Sequence, residues 1–164
     1  MFYPKLNLKS SINLSYMANK AYQRIYVDTN ILINYCNGVV EDCETLNYIF
    51  KKRRKEVLFT SSLAIVQTIT RLQTSTSRRK SYTSEDVVPM IKKLLGKFTL
   101  VNLTEEDVVS GLDADCKDIE DNIHFLLSQK VKCSCILTNN EKDFVQFNIP
   151  TFKPILRLAK LNFK

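Results

Sequence analysis

One histidine in 164 residues removes several chemistries at once. With His124 alone, a histidine-pair ribonuclease mechanism is closed, and a zinc site lacks a second imidazole at ligand spacing. A Ser-His-Asp hydrolase would also need a nucleophile elbow, which is missing. Three glycines and four prolines argue against collagen-like, linker-like or propeller-like designs, and no Gly-rich P-loop or dinucleotide fingerprint is found. No apolar run approaches the ~18 residues of a membrane helix, so no membrane partner is expected. The five cysteines, Cys36, Cys43, Cys116, Cys133 and Cys135, are odd in number and contain no C-x-x-C pair. They read as buried thiols in a reducing compartment, which makes the expected location cytoplasmic. Cys133 and Cys135 are two apart, so on a strand they share a face.

The N-terminal stretch has no continuous apolar segment followed by a small-residue cleavage site, and so does not read as a secretory signal. Residues 1–20 are expected to be an extension, with an alternative start at Met17, and 21–164 a single domain. A hydrophobic content of 45% with 25% charged residues is ordinary for a globular chain. The net charge of +7 is compatible with a polyanionic partner without requiring one. Two basic clusters stand out: Lys51, Lys52, Arg53 and Arg54 in "KKRRK", and Arg78 and Arg79 in "RRK". Both can track a phosphate backbone, and both can equally be a solvated helix end and a polar linker.

Along the chain, strand and helix signals alternate without a repeat. Strands are predicted at Arg24–Val27, in "EVLFTSS", in "FTLVNL" and in "CSCILT", with a short edge strand near Ile149. Between them lie a helix over Ile31, Leu32 and Tyr35 closed by Asn37-Gly38, and a second from about Glu41 to Lys55. A third helix follows the caps Ser61/Ser62. A fourth opens at the Thr83/Asp86 capping pair and must accommodate Pro89, and a fifth opens at Thr104/Asp107. "DIEDNIHFLLSQK" is the strongest, with Ile119, Ile123, Leu126 and Leu127 on one face, and "KPILRLAKL" is a final helix. Strands separated by helices imply βαβ units and a mostly parallel sheet covered on both faces.

Ligands of such sheets bind beyond the carboxyl ends of the strands. Asp28 ends the first strand, and Thr138, Asn139 and Asn140 end "CSCIL", with Asp143 beyond. Asp118 and Asp121, at i and i+3, share a face at the start of the strong helix, while Glu120 projects elsewhere. Carboxylates brought together unpaired repel, and a hard divalent cation resolves the repulsion. The chemistry suggested is phosphodiester hydrolysis assisted by Mg²⁺ or Mn²⁺. Asp118, Asp121 and Asp143 also have ordinary readings as cap or turn residues.

These segments carry a resemblance. "VDTNILINYC" resembles the opening motif of PIN-domain nucleases. "KDIEDNIHFLLSQKVKCSCILTNNEKDF" is similar to the second half of that family, and "IPTFKPILRL" to its tail, over roughly residues 22–161. The resemblance implies a three-layer α/β/α sandwich and Mg²⁺- or Mn²⁺-dependent RNA cleavage, commonly by the toxin of a toxin–antitoxin pair (the VapC-like group). It further implies a homodimer and an antitoxin partner. By it, Asp28, Asp118 and Asp121 are catalytic metal ligands, joined by Asn140 and Asp143, and Asn30 and Thr138 stand behind them. The family usually carries a Glu where this chain has Gln67, and an acid near Asn140, so this pocket holds less negative charge. The alternative is a non-catalytic nucleic-acid or protein-binding module on the same fold. A receiver-like phosphoacceptor is disfavoured by "FTSS" at the second strand.

Overall fold

The computed structural model describes residues 23–51, 56–74, 81–113 and 118–154. The proposed extension, Lys52, Arg53, Arg54, Arg78, Arg79, Cys116 and most of the expected final helix lie outside them. Five strands form one wholly parallel sheet: β1 Gln23–Val27, β2 Glu56–Ser61, β3 Thr99–Val101, β4 Cys135–Leu137 and β5 Thr151–Phe152. Their order is β3-β2-β1-β4-β5. Among the described residues six α-helices connect them: α1 Thr29–Cys36, α2 Val40–Lys51, α3 Ser62–Thr74, α4 Ser84–Leu95, α5 Glu105–Asp113 and α6 Ile119–Lys130. A 3-10 helix at Glu141–Phe147 occupies what reads in sequence as a loop.

Alternation along the strands builds two cores. Ile25, Val27, Leu58 and Leu137 pack against α1 to α4, whereas Tyr26, Phe59 and Ile136 pack against α6 and the 3-10 helix. Each fully buried Leu or Ile contributes about 1.5–3 kcal/mol of hydrophobic free energy. The chain runs from β1 outward to β2 and β3, then returns to place β4 on the other side of β1. Crossovers of one hand that step in opposite directions leave their helices on opposite faces, which produces the three layers. It also makes the carboxyl ends of β1 and β4 the topological switch point.

Local chemistry fixes the helix starts. Thr83 and Asp86 form the reciprocal capping box, Thr104 and Asp107 repeat it, and Ser61 Oγ accepts from Ala64 N at 3.0 Å. At Gly111, an added Cβ would stand 2.4 Å from Ile123 Cγ1, so only glycine lets α5 close on α6. Asn122 Nδ2 donates to Gly111 O at 3.1 Å, locking the first turn of α6 in place.

Several local expectations change. Ile119 is 48% exposed, because Asp118 is the helix cap and the apolar face begins a turn later, at Ile123. Cys133 and Cys135 belong to opposite cores, since Cys133 precedes β4 and follows Lys132 at φ 52. Pro89 lies inside α4, where it forgoes one backbone hydrogen bond. Among the described residues, no helix is long and apolar enough to cross a membrane.

Candidate active site

Asp28 follows directly on β1, and its register partner beyond β4 is Thr138, since Val27 pairs with Leu137. The Asp28 N–H donates to Leu137 O at 3.0 Å, extending the ladder past both strands. Asp28 as a whole is 5% exposed. Oδ1 accepts from Thr29 N at 2.6 Å, and Oδ2 accepts from Asn30 Nδ2 and Thr138 Oγ1, each at 2.6 Å. The Thr138 hydroxyl is fully used, because it also accepts from Asn140 N at 2.9 Å and Asn30 Nδ2 at 3.2 Å. Asn30 Oδ1 takes the Asn139 N–H at 3.1 Å, and Asn139 Nδ2 donates to buried Asp42 at 3.0 Å. Burial, the largest influence on Asp42, raises its pKa against the hydrogen bonds from Asn139 and Asn34. Asp42 was not among the sequence candidates; it reaches the site only through a loop 97 residues away.

The second wall is the start of α6. Asp118 is its N-cap and accepts from the N–H groups of Glu120 and Asp121 at 2.9 and 3.2 Å. Asp121 and Glu120 both line the cleft, Glu120 as an exposed residue at its rim. The Asp121 carboxyl is pushed up to about 7 by burial first, then by the charges of Asp118, Asp143, Asp28 and Glu120. Asp143, on the 3-10 helix, is exposed and near enough to act on Asp121 without lining the cleft. Asn140 does line it, and no side-chain hydrogen bond ties it to the 3-10 helix it precedes.

Behind the cleft runs a buried polar chain. Gln67 Oε1 accepts from Thr29 Oγ1 at 2.7 Å and stands 3.1 Å from His124 Nε2. An amide oxygen only accepts, so Nε2 carries the ring proton, and Nδ1 accepts from Tyr26 OH at 2.8 Å. Burial lowers the His124 pKa despite the nearby carboxylates, which keeps the ring neutral. Burial likewise raises the Tyr26 pKa, opposed by a hydrogen bond from Ser61. Gln67 therefore turns its oxygen inward and leaves its amide N–H groups for the cleft. Spacing along the chain weighs His124 only as a zinc ligand or as half of a histidine pair; this positioning role is hidden from it, because Tyr26 lies 98 residues away.

The cleft has a volume of about 460 Å³. Of the basic residues read as nucleic-acid contacts, Lys51 is described and exposed at the end of α2, away from the cleft lining. Arg71 on α3, not singled out by the sequence, does line it.

Among the described residues, no three acids, cysteines or histidines come close enough together to hold one ion. The donor set nonetheless fits a hard cation. Asp28 uses three of about four carboxylate lone-pair positions, leaving one on Oδ1. Asp121 accepts no hydrogen bond from any described residue, and burial first and then the surrounding acids raise its pKa. Two carboxylates with several retained waters is a normal Mg²⁺ environment.

The sheet order, the three layers and an acid at the switch point define a PIN-like fold. Solved structures bear this out. The chain is similar to VapBC2 from Rickettsia felis bound to a DNA fragment from its promoter, with TM-score 0.59, 12% identity and coverage of 80% of this chain and 98% of that one. It is similar to VapC20 of Mycobacterium tuberculosis, a sarcin-ricin loop cleaving toxin, with TM-score 0.56, 15% identity and coverage of 76% and 95%. A toxin–antitoxin complex from Klebsiella pneumoniae gives TM-score 0.57, 20% identity and coverage of 80% and 98%. No protein-family model and no curated protein matches the chain in sequence.

Proposed function

We propose that this protein is a Mg²⁺- or Mn²⁺-dependent endoribonuclease and the toxin of a toxin–antitoxin pair. The observation that carries the reading is the pair Asp28 and Asp121, two carboxylates facing one cleft at the switch point of a fold shared with VapC toxins. Asp28 and Asp121 would hold the ion. Bound there, it would supply positive charge for a phosphate and lower the pKa of a water. Asn30 and Thr138 fix the Asp28 carboxylate, so little reorganisation is left for the moment of binding. Asp118 orders the first turn of α6 and adds charge beside Asp121. Asn140 offers an amide where the family resemblance places an acid, and Asp143 adds long-range charge. A protein antitoxin would then be the partner, as in the complexes it resembles. Val109, Leu112 and Ile119, each about half exposed on α5 and at the start of α6, offer an apolar face for a homodimer.

A second reading has its own support. Gln67 and Asn140 are neutral where the resemblance expects acids, which favours a binding-only module. The test is cleavage of single-stranded RNA with Mn²⁺ by wild type, Asp28→Asn and Asp121→Asn, with Mn²⁺ affinity measured in parallel. Cleavage by wild type alone is expected. Equal cleavage by all three would sink the proposed site. A silent wild type that still binds RNA would favour the binding module, and Gln67→Glu then asks whether the missing charge is the reason.

A further inference from the structure

The cleft has a wall that the acids do not explain. Val66, Gln67, Thr70 and Arg71 follow helical spacing on α3 and all line it, and Ile33 of α1 joins them. Val66 is 60% exposed, a large apolar side chain left uncovered beside a polar cavity. Arg71 makes no ion pair with any described carboxylate, although Asp28, Glu120 and Asp121 line the same cleft.

The size of the cavity points the same way. A cation with six waters at ~30 Å³ each fills about 180 Å³. The cleft of about 460 Å³ therefore leaves more room than the ion needs, within the range of small-molecule sites. Arg71 favours an anionic group in the remainder, and Val66 and Ile33 favour an apolar one beside it. Nucleotides combine those properties.

We propose that Ile33, Val66 and Arg71 form a nucleotide subsite, in which Arg71 contacts a phosphate flanking the cleaved one and Val66 and Ile33 pack against its base. This rests on the ribonuclease reading above. It assigns the cleft two walls with separate tasks: the α6 side and Asp28 hold the ion, and the α3 side holds one unstacked nucleotide of single-stranded RNA. Guanidinium suits the role because it contacts phosphate in a fixed bidentate geometry.

The competing account is that Arg71, in the last turn of α3, merely complements the helix dipole. Steady-state cleavage of a short mixed-sequence single-stranded RNA separates the two. Arg71→Gln is expected to raise KM ~5–10-fold with kcat within about twofold. It should also reduce the slope of log affinity against log salt by about 0.7, the value for one phosphate contact on a single strand. Arg71→Lys should keep the slope and recover part of the KM. Val66→Ser should raise KM ~3-fold without changing the slope. Mn²⁺ affinity should be unchanged in all three. Unaltered KM and slope in Arg71→Gln, with only a lowered Tm, would leave Arg71 as a helix-end partner and overturn the subsite. Loss of Mn²⁺ binding and cleavage in wild type would instead strike the ribonuclease reading itself.

Discussion

Asp28 and Asp121 line the same cleft, yet the protein treats their charges differently. Asp28 is almost fully buried and accepts three hydrogen bonds from Thr29, Asn30 and Thr138. Asp121 is half-buried, accepts none from the described residues, and sits among four other acids. One carboxylate is part of the scaffold that joins β1 to β4. The other is held in an unfavourable field by the fold around it. The difference teaches that one cleft can combine a rigid, satisfied carboxylate with an unsatisfied one, and that only the second stands to gain strongly from nearby positive charge.

The comparison breaks first at Asp28. Asp28→Ala leaves three donors without their acceptor, two of them buried, and is expected to cost about 2–4 kcal/mol in urea denaturation. A loss below about 0.5 kcal/mol would show that the knot is not structural. Thr138→Val is next, since it removes one donor and two acceptor contacts while keeping the side-chain volume. It should cost about 1–3 kcal/mol by the same measurement, with Thr138→Ser recovering most of it.

Asp121 should respond in the opposite direction and more weakly. Its folded pKa of about 7 lies above the ordinary aspartate value of 3.8, so between those values the folded state retains a proton that the unfolded chain has lost. Below about pH 4 the carboxyl is protonated in both states and contributes nothing. Stability falls as pH rises between about 4 and about 7, and above that the full penalty remains. Asp121→Asn is therefore expected to raise the Tm of the metal-free protein by about 2–4 °C at pH 8 and to leave it unchanged near pH 4. Water screens this half-exposed group, which keeps the gain near the lower figure. A fall in Tm at pH 8 would mean that Asp121 is satisfied after all.

Much of this was legible in the sequence. The strand run before Asp28, the Thr83/Asp86 box and the 3.6-residue spacing of α6 are local signals, and local signals survive in a linear reading. The three-layer fold followed from their alternation. The cleft's α3 wall was not legible, because Arg71 and Val66 look like an ordinary exposed helix face until the opposite wall is in place. His124 and Asp42 were missed for the same reason: their partners Tyr26 and Asn139 are brought to them by the sheet, not by spacing. Cys133 failed differently. The period-2 rule applies only within a strand, and the strand begins two residues later.

The contact between Thr138 and Asp28 spans 110 residues of chain. A growing polypeptide that has not yet added β4 holds Asp28, Asn30 and the Asp121 carboxylate of α6, but not the hydroxyl that clamps Asp28. The β4 end is itself steadied by β5, through the bond from Thr138 N to Phe152 O at 3.0 Å. The Asp28 end of the cleft is thus completed only by pairings of distant sequence separation, which contribute late to folding.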